Sequence, residues 1–513
     1  MASTGSSDAV SEKTCATDVA IVGGGLAGLA CAIALQGSGL SVTLFEAGDR
    51  LGGRARSWIE RVSGDAIDVG PHIILSEYRN MLRLLDQLGS AQRIVWQTEQ
   101  LIRLIEGGHP TDMHLHALPP PLHLMPTLAK VRGLSVSDKL SNLRALWLAM
   151  QIDERTVGRL DRISAAQLLR RQGVSRRFID WFWASACIAI MNVPLERCSA
   201  GALMRVISQM TGRRNYRIGF AGCALGELFV PGARRVIENA GGSIHMKAPV
   251  CRIVGDGLRA TGIVLHDGTR VSARYYVAAV PPCELERMLP QQWRHMRPFG
   301  ALAAFEPCPY ISSYLWFDRK LSNQKFWMRV WNPRDLNSDF YDLSNIRPEW
   351  QARPSVLASN IIYSHRAHEM SDAEIIEGTL REAREALPAA ADAQLRHAVV
   401  NRIPMAIECP LPGTEARRPT TLTPVEHLLL AGDWTRTHLP ASMESAVRSG
   451  YSAAEEIWSA IGKPRQLALP LKPVEGLAGW VNRLPRCTPA HLRSAKQAGA
   501  SREFFRSAAV PRR

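Results

Sequence analysis

The first residues with the spacing of a chemical site are Gly23, Gly25 and Gly28, which fit Gly-x-Gly-x-x-Gly with Leu26 and Ala27 inside the motif. A short apolar run, 18–22, leads into them. A helical face follows, with Leu26, Leu29, Ala30, Ile33 and Ala34 at helical spacing, and Gly37-Ser38-Gly39 closes it. A second strand-like run, 41–45, then delivers Glu46 and Ala47. These parts make a nucleotide-binding unit. Gly23 permits the tight turn, Gly25 lets the backbone approach a pyrophosphate, and Gly28 lets helix and strand pack closely, with the phosphates on the positive helix N-terminus. Glu46, eighteen residues after Gly28, is placed to accept ribose hydroxyls. This unit alone leaves nicotinamide and flavin dinucleotides both open.

A second ligand end lies near the other terminus. Residues 427–431 read as a buried strand, Gly432-Asp433-Trp434-Thr435 as a turn, and a helix runs from about 443 to 461. Ser442 is its predicted N-cap, Glu444 lies in its first turn, and Ala446, Val447, Gly450, Ala453, Ala454 and Ile457 form its apolar face. A plain turn residue is the alternative reading of Asp433. Between the two ends stand Gly52-Gly53-Arg54, the segment Ile67 to Leu75 with Gly70, Pro71 and His72, and a strand-like stretch from Val250 to Ile253. A surface cation is the alternative for Arg54, and a structural histidine for His72.

Composition narrows the class. The chain has 513 residues, 46% hydrophobic and 21% charged, which excludes a disordered or collagenous protein. Ten cysteines stand without a CxxC pair, and the histidine pairs His114/His116 and His365/His368 lack a third ligand, so no metal site is expected. The N-terminal 1–16 reads as a polar leader without an apolar core, consistent with a cytoplasmic protein. The run from Trp181 to Leu195 is too short to span a bilayer and reads as a buried or membrane-dipping helix; core packing explains it equally. The net charge is +15, of which +9 lies in residues 463–513. The body is therefore only mildly basic, and a nucleic-acid partner is not expected. Within that tail Val474, Leu477, Trp480, Val481 and Leu484 make an apolar stripe suited to peripheral contact with anionic lipid; a solubilising tail is the alternative.

The Gly53-Arg54 signature, GPHIILSEYRNMLRLLDQLG (70–89), ALGELFVPGARRVIENAGGSI (224–244) and LLLAGDWTRTHLPASMESAVRSG (428–450) resemble the FAD-dependent isoprenoid desaturases of the amine oxidase superfamily, most closely the bacterial hydroxysqualene dehydroxylases. The resemblance covers about 18–462 and implies an α/β fold: a Rossmann-like FAD-binding domain (17–75, 215–290, 396–462) interleaved with an α+β substrate domain (76–214 helical, 291–395 a sheet). It implies FAD, with Gly53 and Arg54 at the diphosphate and Gly432 and Asp433 at the ribityl or diphosphate. It also implies the Met443 amide at the pyrimidine edge, Gly70 beside the isoalloxazine and the Val250 backbone at the adenine. His72 is the implied ionisable group near the flavin. The implied activity is reductive dehydroxylation of hydroxysqualene, with carotenoid-type desaturation and amine oxidation as alternatives. Amine oxidases usually hold a lysine near the flavin, and lysine is scarce here. Two departures stand out: Ser445 where glycine is usual, and Pro71 where glutamine is common.

Overall fold

The computed structural model describes residues 14–484. Most of the leader and the tail beyond 484 lie outside the described residues. The strand Thr14–Val22 is the centre of a parallel sheet, flanked by Val42–Phe45 on one side and Arg270–Ala278 on the other. Ser243–His245 extends the first side. On the second, Arg270–Ala278 divides its edge: its last residues pair in parallel with Leu428–Leu430, while its first pair with Arg259–Leu265, which continues antiparallel to Val250–Asp256. Apolar residues buried on both faces fix this sheet, Val19, Ile21, Leu44 and Val277 on one and Ala20, Val22, Tyr276 and Leu430 on the other. Two helices cover one face, Leu26–Ala34 and Met443–Ala460. They approach so closely that a methyl at Gly450 would lie 2.2 Å from the Ala27 carbonyl oxygen. The N- and C-terminal motifs are therefore locked side by side, which no local pattern dictates.

The second sheet has seven strands, in the order Leu395–Glu408, Pro307–Phe317, Val356–Ile362, Asp339–Asp342, Phe326–Arg329, Ile102–Glu106 and His109–Met113. Two boundaries differ from the sequence reading. Residues 76–214 are not purely helical, because 102–106 and 109–113 form the sheet's edge hairpin. The strand 395–408 belongs to this sheet rather than to the FAD-binding part, since it pairs along almost its whole length with 307–317. Its alternation of half-exposed residues carried no mark of which sheet it would join. One face of the sheet packs Trp327, Phe340 and Leu357 toward the helix Asp372–Ala386, whose start is fixed by a Ser371/Glu374 capping box. The other face looks into the molecule's main cavity.

The apolar run from Trp181 bends through a π-helical turn, 179–183, into the helix Ala184–Met191, and Asn192 ends it in a left-handed conformation. Trp181, Phe182, Ser185, Ala186, Ala189 and Ile190 line the cavity, while Trp183, Cys187 and Ile188 point into the core. Among the described residues no helix is long and apolar enough to cross a membrane. Beyond the long C-terminal helix, 467–469 are held by Glu455, Asn80 and Arg83, and a short helix, Gly476–Asn482, packs on Met150. The stripe read on the tail is thus divided: Val474, Leu477, Val481 and Leu484 face inward, and Trp480 faces out.

Candidate functional site

One cavity of about 810 Å³ runs from the parallel sheet to the second sheet, toward the upper end of the ~300–1,000 Å³ usual for ligand sites. Gly23, Gly25, Leu26, Ala27, Glu46, Ala47, Gly53, Arg54, Gly70, His72, Val250, Gly432, Asp433 and Met443 all line it. Gly28 does not, and its role is packing: a side chain there would meet the Gly23 carbonyl oxygen at 2.0 Å. At Gly25 the nearest atom to such a side chain is the Gly53 Cα, 4.0 Å away. That glycine borders open cavity.

The sheet and helix geometry bring the motifs together. Gly52 donates its N–H to the Gly24 carbonyl at 2.9 Å, so the second glycine motif lies directly on the first. The Glu46 carboxylate accepts from the backbone N–H groups of Gly24 (2.7 Å) and Gly48 (2.8 Å), which fixes its position at the end of its strand. Arg54 donates to Asp433 at 2.6 Å and to the Ala406 carbonyl at 2.8 Å, coupling residues 379 positions apart. Gly432, at φ 142°, donates to Ser449 Oγ, and a side chain there would strike the Trp434 ring at 2.6 Å. Ser442 caps the helix beginning at Met443, whose N-terminus faces the cavity. Ser445 does not obstruct this approach. Its hydroxyl turns into the 432–437 turn, bonding Thr437 Oγ1 at 2.6 Å and donating to the Asp433 carbonyl at 3.2 Å.

The segment 68–72 is held against the second sheet by Tyr314 Oη, which donates to the Asp68 carbonyl (2.9 Å), and by Ser312 Oγ, which donates to the Val69 carbonyl (2.6 Å). His72 Nδ1 donates to the Gly70 carbonyl at 2.7 Å. Burial pushes its pKa down against the opposing pull of that carbonyl and of Asp68, which favours the neutral ring.

Several site features were not legible in the motifs. Glu408, at the end of the strand 395–408, is buried beside Asp433 and Arg54. Burial first, and then the negative charge of Asp433, push its pKa up to about 8 against the pull of Arg54 and Arg418. Glu444 turns away from its own helix and accepts from Asn80 N (3.1 Å), Asn80 Nδ2 (2.7 Å) and Met81 N (2.8 Å), fixing the start of the helix Arg79–Gln87. Asp339, Tyr341 and Asn360 place polar groups on the cavity wall of the second sheet. Alternation of Asp339 and Tyr341 was the available signal, overshadowed by the aromatic residues around them. Among the described residues no group of three or more His, Cys, Asp or Glu is placed to hold a metal ion.

A parallel sheet whose glycine turn, terminal acid and distant Gly-Asp helix end converge on one cavity defines a dinucleotide-dependent oxidoreductase. The chain belongs to the flavin-containing amine oxidoreductase family, whose sequence pattern matches residues 26–458. It is 27% identical over 455 residues to a 15-cis-phytoene desaturase of Synechococcus elongatus, covering 86% of this chain and 95% of that protein. It is 26% identical over 474 residues to a zeta-carotene desaturase of Synechocystis, covering 86% and 96%. Among solved structures it resembles a putrescine oxidase, at a TM-score of 0.66 and 18% identity over 87% of this chain and 100% of that one. A cyclohexylamine oxidase of Brevibacterium oxydans has the same fold at a TM-score of 0.65 and 19% identity, over 87% and 99%. The protein is an FAD-dependent oxidoreductase.

The residues fit that cofactor: open space at Gly25, an anchored ribose acid at Glu46, a cation at Arg54 and a helix N-terminus at Met443. Gly23, Gly25, Leu26, Ala27 and Arg54 would hold the diphosphate, Glu46 the adenosine ribose, Val250 the adenine, and Asp433 with Met443 the flavin end. Bound FAD supplies hydride acceptance or donation at a substrate carbon. The chain's part is to orient the substrate and keep water out, while the helix N-terminus favours negative charge beside it.

Proposed function

We propose that this flavoenzyme acts on a long polyisoprenoid. The observation that carries the reading is the wall of the cavity beyond the FAD motifs, where Leu101, Leu104, Met113, Leu115, Ile207 and Met210 join the face of the 184–191 helix. Such a surface suits an extended hydrocarbon and offers little to a small polar amine. The carotenoid desaturases among the relatives favour desaturation. A second reading, reductive dehydroxylation of hydroxysqualene, is favoured by the polar cluster at Asp339, for which a pure hydrocarbon has no use. FAD-loaded protein supplied with phytoene and a quinone acceptor, and in parallel reduced protein supplied with hydroxysqualene, would be assayed for dehydrogenated product and for squalene. Turnover of either supports the polyisoprenoid reading and tells the two reactions apart. Inertness toward both, with peroxide released on adding an aliphatic amine, overturns it.

We further propose peripheral membrane contact, seated on the body rather than on a free tail. Leu118, Leu122, Met125, Leu140, Leu143, Trp147 and Trp480 are each between 40% and 59% exposed. They lie on elements in mutual contact: the Ala478 N–H donates to the Pro120 carbonyl, and the helices 143–150 and 476–482 pack together. Lys130, Arg132, Arg144 and Arg483 are exposed on the same elements. His123 and Leu124, neighbours of this apolar face, belong to the cavity wall. A lipid surface here would bring a membrane-dissolved substrate to the cavity.

A further inference from the structure

The cavity wall supplied by the second sheet is apolar except at one place. Asp339 and Tyr341 lie two apart on one strand and so face the same way, and Asn360 stands opposite Asp339 on the neighbouring strand. All three line the cavity and are at most 4% exposed. Tyr341 Oη donates to Asp339 Oδ2 at 3.1 Å, and Ser338 Oγ reaches Oδ1 at 3.4 Å, a weak contact. Asn360 Oδ1 is buried and has no hydrogen-bond partner. Among the described residues no cation pairs with the carboxyl, and burial raises its pKa to about 7 against the hydrogen bonds of Tyr341, Asn360 and Ser338. A neutral carboxyl is a donor as well as an acceptor. The cluster also adjoins the FAD end of the cavity through Tyr310, whose charge environment includes Asp339. The Tyr310 ring lies 3.0 Å from the place a Gly70 side chain would take.

A buried carboxyl and an unpartnered amide oxygen are costly in an apolar wall unless a ligand completes their hydrogen bonds. We propose that Asp339, with Tyr341 and Asn360, is an oxygen-recognition site that selects an isoprenoid alcohol over the corresponding hydrocarbon. The proposal rests on the polyisoprenoid reading of the cavity. In it, the Asp339 carboxyl donates to the substrate oxygen while the Asn360 amide oxygen accepts the hydroxyl proton. Asp339 is then a specificity residue whose contact disappears with the hydroxyl. A site built to bond a hydroxyl rejects the analogue lacking it far more strongly than an apolar pocket rejects a hydroxyl.

The test is equilibrium binding of hydroxysqualene and squalene to the full-length FAD-loaded protein, followed by quenching of tryptophan fluorescence. Expected is a preference of about tenfold or more for the alcohol, the size of one well-made buried hydrogen bond. Asp339→Leu is expected to abolish that preference and to leave squalene affinity within about twofold of wild type. Equal binding of the two ligands by wild type, or a preference that survives Asp339→Leu, overturns the proposal alone. Binding of neither overturns the polyisoprenoid reading and the proposal with it. Should Asp339→Leu fail to retain FAD, the infrared carbonyl band of a protonated carboxyl in wild type decides. A shift on adding hydroxysqualene but not squalene, assigned by its absence in Asp339→Asn, supports the site, and no shift refutes it.

Discussion

A side chain at Gly28 would lie 2.0 Å from a backbone oxygen, whereas at Gly25 it would enter the cavity with no atom nearer than 4.0 Å. The two glycines of one motif should therefore answer differently to the same substitution. Gly28→Val is expected to destabilise the fold by about 3 kcal/mol or more, because backbone cannot yield as a side chain does. Gly25→Val is expected to melt cooperatively as apoprotein but to purify without flavin. Thermal melts paired with the flavin absorbance of the purified proteins separate the outcomes, and a yellow Gly25→Val protein would contradict the placement of the diphosphate. Glu444 is a comparable case. Its carboxylate serves three N–H groups of another element, two of them on the backbone. Glu444→Ala strands those donors in a buried place and is expected to cost about 2–3 kcal/mol in denaturant unfolding of the holoprotein. An unchanged midpoint would show that water satisfies them.

The elements that carry the site are fixed by such distant partners more than by their own propensities. The hairpin formed by Ser57–Ile59 and Ala66–Asp68 shows this at its turn, where Glu60 accepts from the N–H groups of Val62 (3.1 Å) and Ser63 (2.7 Å) and lies 3.1 Å from His397 on the second sheet. Burial raises the Glu60 pKa, but the Ser63 and Val62 donors together with His397 outweigh it and hold the group at about 2, below its ordinary 4.5. A carboxyl held down in the folded state gives stability that is fully present above the unfolded pKa and lost as pH falls through the folded one. The link between this hairpin and the strand 395–408 is therefore expected to persist above about pH 4.5 and to loosen toward pH 2. Hydrogen exchange of 57–68 across that range checks it: Glu60→Gln should show the loosened rate already at neutral pH. The same long-range dependence explains why the sequence of 395–408 does not reveal that this strand joins the second sheet rather than the FAD-binding part. Its pairing with 307–317 is a contact between segments some ninety residues apart.

For the whole molecule, the cavity joins two sheets, and the apolar side proposed for lipid contact is assembled from 118–147 and from Trp480, remote in sequence. Replacing Leu143, Trp147 and Trp480 together by glutamate removes apolar area from the patch and adds repulsion from anionic lipid. The triple variant is expected to lose at least about tenfold in binding to phosphatidylglycerol vesicles in flotation assays, with flavin content unchanged. Deletion of 485–513 alone should weaken binding less, since Trp480 and Arg483 remain. If that deletion abolishes binding while the triple variant binds normally, the contact belongs to the tail after all.

Gly53-Arg54 and Gly432-Asp433 take their expected roles from the family resemblance, whereas the nucleotide-binding turn is legible from Gly23, Gly25, Gly28 and Glu46 because each answers to local chemistry. Backbone must approach phosphate, an acid must end a strand, and a turn must precede a helix, so spacing alone specifies them. The concentration of charge in the last fifty-one residues was equally plain in the sequence. Tertiary structure alone decided the rest. It set Glu444 on the 79–87 helix, brought Glu408 beside Asp433, and turned Ser445 away from the cavity. It also gathered Asp339, Tyr341 and Asn360 on one wall of the cavity and divided the apolar stripe of the tail between core and surface. The physical reason is common to all of these: a buried polar group takes its meaning from the partner it meets across the fold, and a strand's alternation says which residues share a face without saying what that face will meet.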